Sequence, residues 1–148
     1  MATQSDIATE ETQIRELIDA GARAVRAKDI DGLMPAYAPE VVSFDVVGRL
    51  HYQGAAAVRK RTEEWFASFE GPISYEVSDL SVSITPDMAF CHRINHVRAT
   101  KNDGGHLDMR WRETTCYRRR GGQWLIVHQH SSVPFDAASG QASLDLQP

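Results

Sequence analysis

The spacing of apolar residues along the chain changes from a helical period to a strand period. Near the start, Ile14, Leu17, Ile18, Ala22 and Val25 recur every three or four residues, which is typical of a helix with one buried face. From residue 73 onward, apolar and polar residues alternate, which is typical of strands with one buried face. Helical segments therefore come mostly before the long strands, and this order predicts an α+β fold.

The same pattern predicts three helices, two short early strands and a four-strand antiparallel meander. The helices are expected at residues 9–28, 29–38 and 55–69, with Thr9 as the cap of the first helix. The strands are expected at residues 41–47, 50–53, 73–84, 88–100, 107–119 and 124–131. A phase slip inside the third strand predicts a β-bulge near Ser78 and Asp79.

Length and composition indicate one ordinary globular domain. The chain has 148 residues, of which 42% are hydrophobic and 24% charged. We expect a flexible N-terminus at residues 1–8, a folded domain at 9–136 and a flexible tail at 137–148. The net charge of −4 argues against nucleic-acid binding. No apolar run is long enough to span a membrane and the N-terminus lacks a secretory signal, so a cytoplasmic location is expected.

Metal and disulfide chemistry have little support in the sequence. Cys91 and Cys116 are the only cysteines, and their spacing matches no zinc motif, so both are expected to be buried thiols. His128 and His130 could form two sides of a metal site if Asp45 or Asn95 supplied a third ligand. The prediction is that the protein uses neither a metal nor a cofactor.

Four stretches of the chain together carry a family resemblance. They are residues 44–48, 52–54, 65–72 and 124–136. In these stretches the chain resembles a SnoaL-like domain, a family with the cystatin-like cone fold that ketosteroid isomerases, polyketide cyclases and nuclear-transport-factor-like proteins share. The resemblance covers about residues 10–136. It implies a curved sheet wrapped around helices, a cone-shaped pocket, and a first strand that lies beside the last.

The resemblance also implies one catalytic residue. The general base of ketosteroid isomerases falls on Asp45. The oxyanion donors of those enzymes do not carry over, because their positions correspond to Gly21 and Thr114. Steroid isomerisation by the same mechanism is therefore not expected.

Assumed hairpin registers suggest which residues could replace those donors. A turn through residues 120–122 would place Arg112 opposite His130 and Thr114 opposite His128, whereas a two-residue turn through Gly121 and Gly122 would pair His130 with Glu113. We prefer the first register, since Thr114 corresponds to a cavity position of the isomerases. A turn through Asp103 and Gly104 would then place Asn95 opposite Arg112. The pocket face would carry polar side chains above an apolar floor, namely Asn95, Arg112, Thr114, His128 and His130 above Trp124 and Ile126.

The predicted function is cofactor-independent proton transfer on a small carbonyl compound, as in an isomerase or an aldol-type cyclase. Asp45 would remove a proton next to the carbonyl, and Arg112 with His130 would stabilise the enolate oxygen. Six residues are expected to bind the substrate, namely Phe44, Trp65, Asn95, Thr114, Ile126 and His128. The alternatives are a non-catalytic ligand-binding domain and a dimeric association domain of the same fold.

The other sheet face is expected to form a homodimer interface. On the preferred register this face carries aromatic and polar residues together, among them Trp111, Glu113, Tyr117 and His96. A register error of one residue would exchange the two faces.

Overall fold

The computed structural model describes residues 3–148 and contains three α-helices, which lie against one curved sheet. The helices are α1 (Gln4–Arg26), α2 (Ile30–Leu33) and α3 (Ala55–Ala67), and a 3-10 turn at Met34–Ala36 follows α2. The strands are β1 (Tyr37–Phe44), β2 (Tyr52–Gln53), β3 (Phe69–Ile84), β4 (Met88–Lys101), β5 (His106–Arg120) and β6 (Gln123–Ser132). The predicted α+β class is confirmed.

Helix α1 begins five residues earlier than the sequence pattern predicts. Thr3, not Thr9, is its N-cap, because the Thr3 hydroxyl accepts from the Asp6 backbone N–H at 3.1 Å. The Asp6 carboxylate in turn accepts from the Thr3 backbone N–H at 3.0 Å, so the pair forms a capping box. Ile7 is the only large apolar residue between positions 4 and 13, so this stretch has no apolar period that would have predicted an earlier start of the helix. Of the predicted flexible N-terminus, residues 1 and 2 lie outside the described part of the chain.

The strands form one mixed sheet in the order β2-β1-β6-β5-β4-β3. Strands β3 to β6 form the predicted antiparallel meander, and β1 lies parallel to β6, as the family resemblance implied. Strand β3 carries the predicted bulge, since its register shifts between Ser78 and Ser81 and Asp79 has a φ of 52°. A bulge of this kind bends the strand that carries it and increases its local twist.

Three predicted boundaries are wrong around the short elements. The predicted second helix, residues 29–38, is reduced to one turn of α2 and the 3-10 turn, because Gly32 and Pro35 interrupt it. Strand β1 therefore starts at Tyr37 instead of residue 41. Strand β3 starts at Phe69, so the segment containing Gly71 and Pro72 belongs to a sheet-edge strand and does not simply end helix α3.

The register between β4 and β5 differs by one residue from the assumed one. Asn95 pairs with Trp111 and Arg93 with Glu113, whereas the assumed turn had paired them with Arg112 and Thr114. The connection is longer than a two-residue hairpin, because Lys101 accepts from Gly104 and donates to the Gly105 carbonyl before the strand resumes. A shift of one residue exchanges the faces of the whole strand.

The register between β5 and β6 also corrects the preferred prediction. The turn consists of Gly121 and Gly122, with φ of 55° and 79°, as in the alternative register, but His130 pairs with Thr114 and not with Glu113 as that register would have it. Tyr117 pairs with Ile126, but Cys116 pairs with His128, so Val127 is an extra residue in β6. This bulge reverses the inward and outward positions of the strand beyond Val127.

The helices cover the concave face of the sheet and form two buried clusters with it. One cluster packs Ile14 and Ile18 of α1 against Tyr117, Trp124 and Ile126. The other consists of residues from α1, α3 and the outer strands, namely Ala22, Val25, Phe66, Phe69, Ile73, Tyr75 and Val97. Between these clusters the concave face remains open as a cavity.

The C-terminal segment makes defined backbone contacts with the sheet. Ser143 N–H donates to the Pro134 carbonyl at 2.7 Å, and Arg110 N–H donates to the Leu144 carbonyl at 2.9 Å. Phe135 and Ala142 form an isolated β-bridge. The segment thus reaches the part of β5 that extends past the end of β6. Flexibility of residues 137–148 stays a prediction.

Candidate functional site

A cavity of about 780 Å³ lies between the concave sheet face and the helices. Its wall is mostly apolar and comes from all three helices and all six strands, with Leu17, Val58, Val97, Met109 and Ile126 among its residues. A volume in this range suits a ligand of drug size. The cavity therefore has the size and the apolar lining that are typical of small-molecule sites.

An ion pair lies at the side of the cavity next to β1. Asp45 follows the last residue of β1, and its Oδ2 lies 3.1 Å from Nε of Arg61 in α3. Both residues line the cavity, with 26% of the Asp45 and 21% of the Arg61 side chain exposed. The Val46 backbone N–H donates to the other carboxylate oxygen at 2.7 Å. Two separate contacts thus fix the orientation of the Asp45 carboxylate.

A second ion pair lies deeper on the concave face. Glu113 of β5 bonds to Arg93 of β4, and only 10% of each side chain is exposed. The same carboxylate accepts from Asn95 Nδ2 at 3.2 Å and from the Thr115 hydroxyl at 3.0 Å. Ser131 adds a longer contact of 3.5 Å from β6. With donors around both of its oxygens, Glu113 anchors this hydrogen-bond network.

These groups form a polar row across the concave face. The pairing of Phe44 with His130 and of Glu113 with Ser131 places Asp45, Ser131 and Glu113 side by side on neighbouring strands. Arg93 extends the row onto β4, opposite Glu113. Asp45 and Glu113 are separated by two strand spacings, roughly 10 Å. A ligand in the cavity would therefore meet apolar walls with polar groups along one line.

Burial keeps the phenols of the cavity neutral. Burial raises the pKa of Tyr37, Tyr75 and Tyr117 above the usual range, and the nearby Glu113 charge raises it further. The Tyr37 hydroxyl donates to Gln129 Oε1 at 2.9 Å. For Arg93, burial alone would lower the pKa, but the Glu113 charge outweighs it and the pKa is raised. Arg93 therefore remains charged and its tyrosine neighbours do not.

Aromatic side chains form the wall next to α3 and the outer strands. The ring of Trp65 lies edge-on to that of Trp111, with centroids 6.3 Å apart, and to that of Phe69, at 5.5 Å. Tyr75 lies 6.0 Å from Trp111. Leu144 of the C-terminal segment also lines the cavity. This side of the cavity therefore offers aromatic surface, against which flat rings pack well.

The structure places four of the nine predicted site residues on the concave side. Asp45, Trp65 and Ile126 line the cavity. Asn95 is fully buried on the same face of β4, between the cavity-lining residues Arg93 and Val97. The predicted roles of these residues stay predictions.

The other five lie on the convex side and do not meet Asp45 in the cavity. Arg112 is exposed and donates to Ser132 at 3.1 Å, and Thr114 is exposed beside it. The His128 Nδ1 lies 2.7 Å from the Val42 carbonyl oxygen, and the rings of His128 and His130 pack edge-on against Phe44. The predicted pocket face was therefore wrong for β5 and for β6 beyond its bulge. The one-residue register shift and Val127 are the physical reasons.

Five residues of the cavity wall were not predicted from the sequence, namely Tyr37, Arg61, Arg93, Glu113 and Gln129. One signal was the alternative two-residue turn through Gly121 and Gly122. That turn moves Glu113 to the pocket face and Arg112 to the opposite face. Another was strand phase: Arg93 lies two residues from the apolar Cys91 and four from Val97, and Glu113 lies four from Tyr117, so each charged residue shares a face with apolar ones. Arg61 gave no such signal, because it lies within a run of charged residues on α3.

Residues 3–148 contain no cluster of three or more His, Cys, Asp or Glu side chains arranged to hold a metal ion. Within the same residues, no helix is both long and apolar enough to cross a membrane. A cytoplasmic location stays a prediction.

The aromatic residues expected at the dimer interface lie on the concave face of the sheet. Trp111 and Tyr117 line the cavity, and Glu113 lies with them, so these residues do not support a contact through the convex face. His96 does lie on that face, with its Nε2 2.7 Å from Asp108. The homodimer stays a prediction.

Comparison with known structures agrees with this architecture. An NTF2-like protein of unknown function from Pseudomonas putida is 35% identical, with 95% of this chain and 98% of that chain covered and a TM-score of 0.86. An NTF2-like superfamily protein from Salmonella enterica is 18% identical over 93% of this chain and 99% of its own, with a TM-score of 0.77. A ketosteroid isomerase-like protein from Erwinia carotovora is 20% identical over 82% and 93%, with a TM-score of 0.70.

The family follows from a match over most of the chain. No curated protein sequence matches. The family profile described as a SnoaL-like domain matches residues 14–136, which include both ion pairs and every strand of the sheet. The protein therefore belongs to the SnoaL-like domain family.

Proposed function

We propose that the protein is a small-molecule pocket protein that catalyses cofactor-independent proton transfer on a carbonyl compound. Asp45 removes a proton from the carbon next to the carbonyl, and Arg61 stabilises the enolate oxygen that forms. Arg61 takes the role that the sequence analysis gave to Arg112 and His130. The products would be those of an isomerisation or an aldol-type cyclisation.

The observation that carries this proposal is the Asp45–Arg61 pair at the wall of an apolar cavity, with Nε and Oδ2 3.1 Å apart. A base and a cationic donor side by side match the two charges that change during enolisation. Arg61 uses Nε for the pair, and a guanidinium has further N–H donors on its terminal nitrogens. The Val46 N–H holds the second oxygen of Asp45 in place.

The apolar surroundings support the same chemistry. Around the pair, Val46, Val47, Val58 and Trp65 line the cavity and keep water away from a bound substrate. Electrostatic stabilisation is stronger where water is excluded. The Erwinia carotovora protein, which is named ketosteroid isomerase-like, has the same fold and so agrees with the proposal at the level of fold alone.

A second candidate is a binding domain without catalysis. The contacts that orient Asp45 favour it, because the Arg61 pair and the Val46 N–H already satisfy both carboxylate oxygens. In that case the pair would orient a ligand and would not exchange protons. The same experiment separates the two candidates.

The test is proton exchange measured by NMR. Cyclic ketones and β-dicarbonyl compounds are incubated in heavy water with the wild type and with Asp45→Asn. With the wild type, we expect deuterium to enter next to the carbonyl. In Asp45→Asn, we expect the exchange rate to fall by at least roughly 10²-fold.

Asp31→Asn is the matched control. Asp31 also pairs with an arginine of α3, Arg59, but its side chain is 83% exposed and it does not line the cavity. Exchange at the wild-type rate is expected. Saturable ligand binding without exchange in any protein would refute the catalytic proposal and support the binding domain.

A further inference from the structure

Two buried polar atoms beside the cavity remain without a partner. Among the protein atoms of residues 3–148, the buried side-chain N and O atoms that lack a hydrogen bond are Arg93 Nε and Asn95 Oδ1. Buried polar groups are normally hydrogen-bonded, and an unmade bond costs free energy. The unsatisfied atoms are a donor and an acceptor, and they belong to residues two positions apart on one face of β4.

The same carboxylate holds both residues in place. The Arg93 terminal nitrogen and Asn95 Nδ2 bond to different oxygens of Glu113, which brings the two side-chain ends together. The Asn95 orientation is also fixed, because a reversed amide would turn its oxygen towards the Glu113 carboxylate. The unpaired donor and acceptor are therefore features of an ordered network.

The network adjoins the ligand cavity. Arg93 and Glu113 line it, and so do the residues around Asn95, which are Val97 on the same strand and Trp111 directly opposite. The Asn95 side chain is fully buried and about nine-tenths of the Arg93 side chain is buried. A ligand group at this position would be shielded from water, so its hydrogen bonds would contribute strongly to selectivity.

The charges around the two atoms select a neutral group. Arg93 and Glu113 already compensate each other, so a carboxylate entering here would face the charge of Glu113 and an ammonium that of Arg93. A single group that accepts from Arg93 Nε and donates to Asn95 Oδ1 would satisfy both atoms. A hydroxyl does both through a single oxygen.

We propose that Arg93 and Asn95 form a subsite for a neutral hydroxyl group of the ligand, at the opposite end of the polar row from Asp45. The inference rests on the proposed small-molecule function of the cavity and names its substrate class, a hydroxylated ring compound. It does not require Asp45 to act as a base.

The test compares three probes of the same ring size: 2-naphthol, 2-methoxynaphthalene and 2-naphthoate. Dissociation constants are measured by calorimetry or by the fluorescence of the cavity tryptophans. With the wild type, 2-naphthol is expected to bind roughly tenfold more tightly than 2-methoxynaphthalene, which cannot donate. 2-Naphthoate is expected to bind most weakly.

Asn95→Leu and Thr115→Val form a matched pair of variants. Each removes one donor to Glu113, but only Asn95→Leu also removes the unpaired acceptor. The preference for 2-naphthol is expected to disappear in Asn95→Leu and to persist in Thr115→Val. An equal loss of this preference in both variants would show that the hydrogen bonds to Glu113 only maintain the structure, and would overturn the subsite.

Other results would also overturn it. These are equal binding of 2-naphthol and its methyl ether to the wild type, tightest binding of 2-naphthoate, or no binding of any probe. If Asn95→Leu does not fold, a crystal structure of the wild type with 2-naphthol decides, because its oxygen must lie within hydrogen-bond distance of Arg93 Nε and Asn95 Oδ1. Selective binding without deuterium exchange would refute catalysis by Asp45 alone and leave the subsite intact.

Discussion

The two faces of the same four-stranded meander differ in how their polar residues are held. On the concave face, Arg93 and Glu113 are nearly fully buried, and other side chains surround their ion pair with further hydrogen bonds. On the convex face, Arg112 and His130 are exposed, and the hydrogen bond from Arg112 to Ser132 is open to solvent. Neighbouring residues of one strand thus have very different energetic environments.

This difference shows that the direction of a side chain matters more than its type. Arg112 and Glu113 are adjacent in β5, yet only Glu113 belongs to the cavity. Burial strengthens electrostatic interactions and raises the cost of an unpaired charge, whereas solvent weakens both effects. Substitutions on the concave face should therefore have large effects, and their convex counterparts small ones.

The largest expected effect is on the buried ion pair. Arg93→Met would leave the Glu113 charge unpaired in the interior, so we expect it to lower the free energy of unfolding by about 3–5 kcal/mol. Arg112→Met, on the convex face, is expected to change it by less than about 0.5 kcal/mol. Urea denaturation of both variants measures the difference.

A double variant identifies the cause. Arg93→Met combined with Glu113→Gln removes both charges, so much of the lost stability should return. A double variant as unstable as Arg93→Met would show that packing of the arginine, and not its charge, stabilises this region. Equal losses for Arg93→Met and Arg112→Met would contradict the contrast between the faces.

The sequence predicted the fold because the fold depends on patterns that many residues share. Periods of apolar residues gave the element order, and the four motif stretches indicated the SnoaL-like family. The predicted helix ends were less accurate: Thr3 and Asp6 cap α1 before its apolar period begins. A cap depends on single hydrogen bonds, which leave no period in the sequence.

The candidate site was harder to predict because it depends on strand register. One extra residue, Val127, turns His128 and His130 to the convex face, and the β4–β5 connection shifts Arg93 from Thr114 to Glu113. Whether a strand contains a bulge and how a hairpin turns depend on small free-energy differences between local conformations. The pattern of apolar and polar residues does not reveal these differences. The family resemblance predicted that Asp45 lies in the pocket, and this position was robust because Asp45 follows the end of β1, where neither shift applies.

The next effect concerns alkaline pH and separates the phenols of the concave face from the surface. Burial raises the pKa of Tyr37, Tyr75 and Tyr117, so they stay neutral in the folded protein, whereas unfolded tyrosines ionise near about pH 10. Their contribution to stability is therefore fully present below about pH 10 and is lost as the pH rises above it.

Tyr117→Phe tests this dependence. Above about pH 10 the free energy of unfolding of the wild type should fall as the pH rises. Tyr117→Phe should make this slope shallower by roughly 1.4 kcal/mol per pH unit, which is the contribution of one proton. Urea denaturation from about pH 8 to about pH 11 gives the slope, and the absorbance of tyrosinate reports ionisation directly. An unchanged slope would mean that Tyr117 ionises equally in both states.

The smallest effect is on reaction rates and compares one cysteine from each face. Cys91 is fully buried on the concave face, whereas Cys116 is half-buried on the convex face. Burial raises the pKa of both thiols, so both should react slowly at neutral pH, because the thiolate is the reactive form. Cys116 should nevertheless react with Ellman's reagent well before Cys91, which should react only when the protein unfolds.

Cys116→Ser and Cys91→Ser assign the two kinetic phases to the two thiols, and mild urea should accelerate only the slower phase. A faster reaction at Cys91 would mean that the concave face opens without unfolding, and that its buried network is less rigid than the hydrogen bonds around Glu113 indicate.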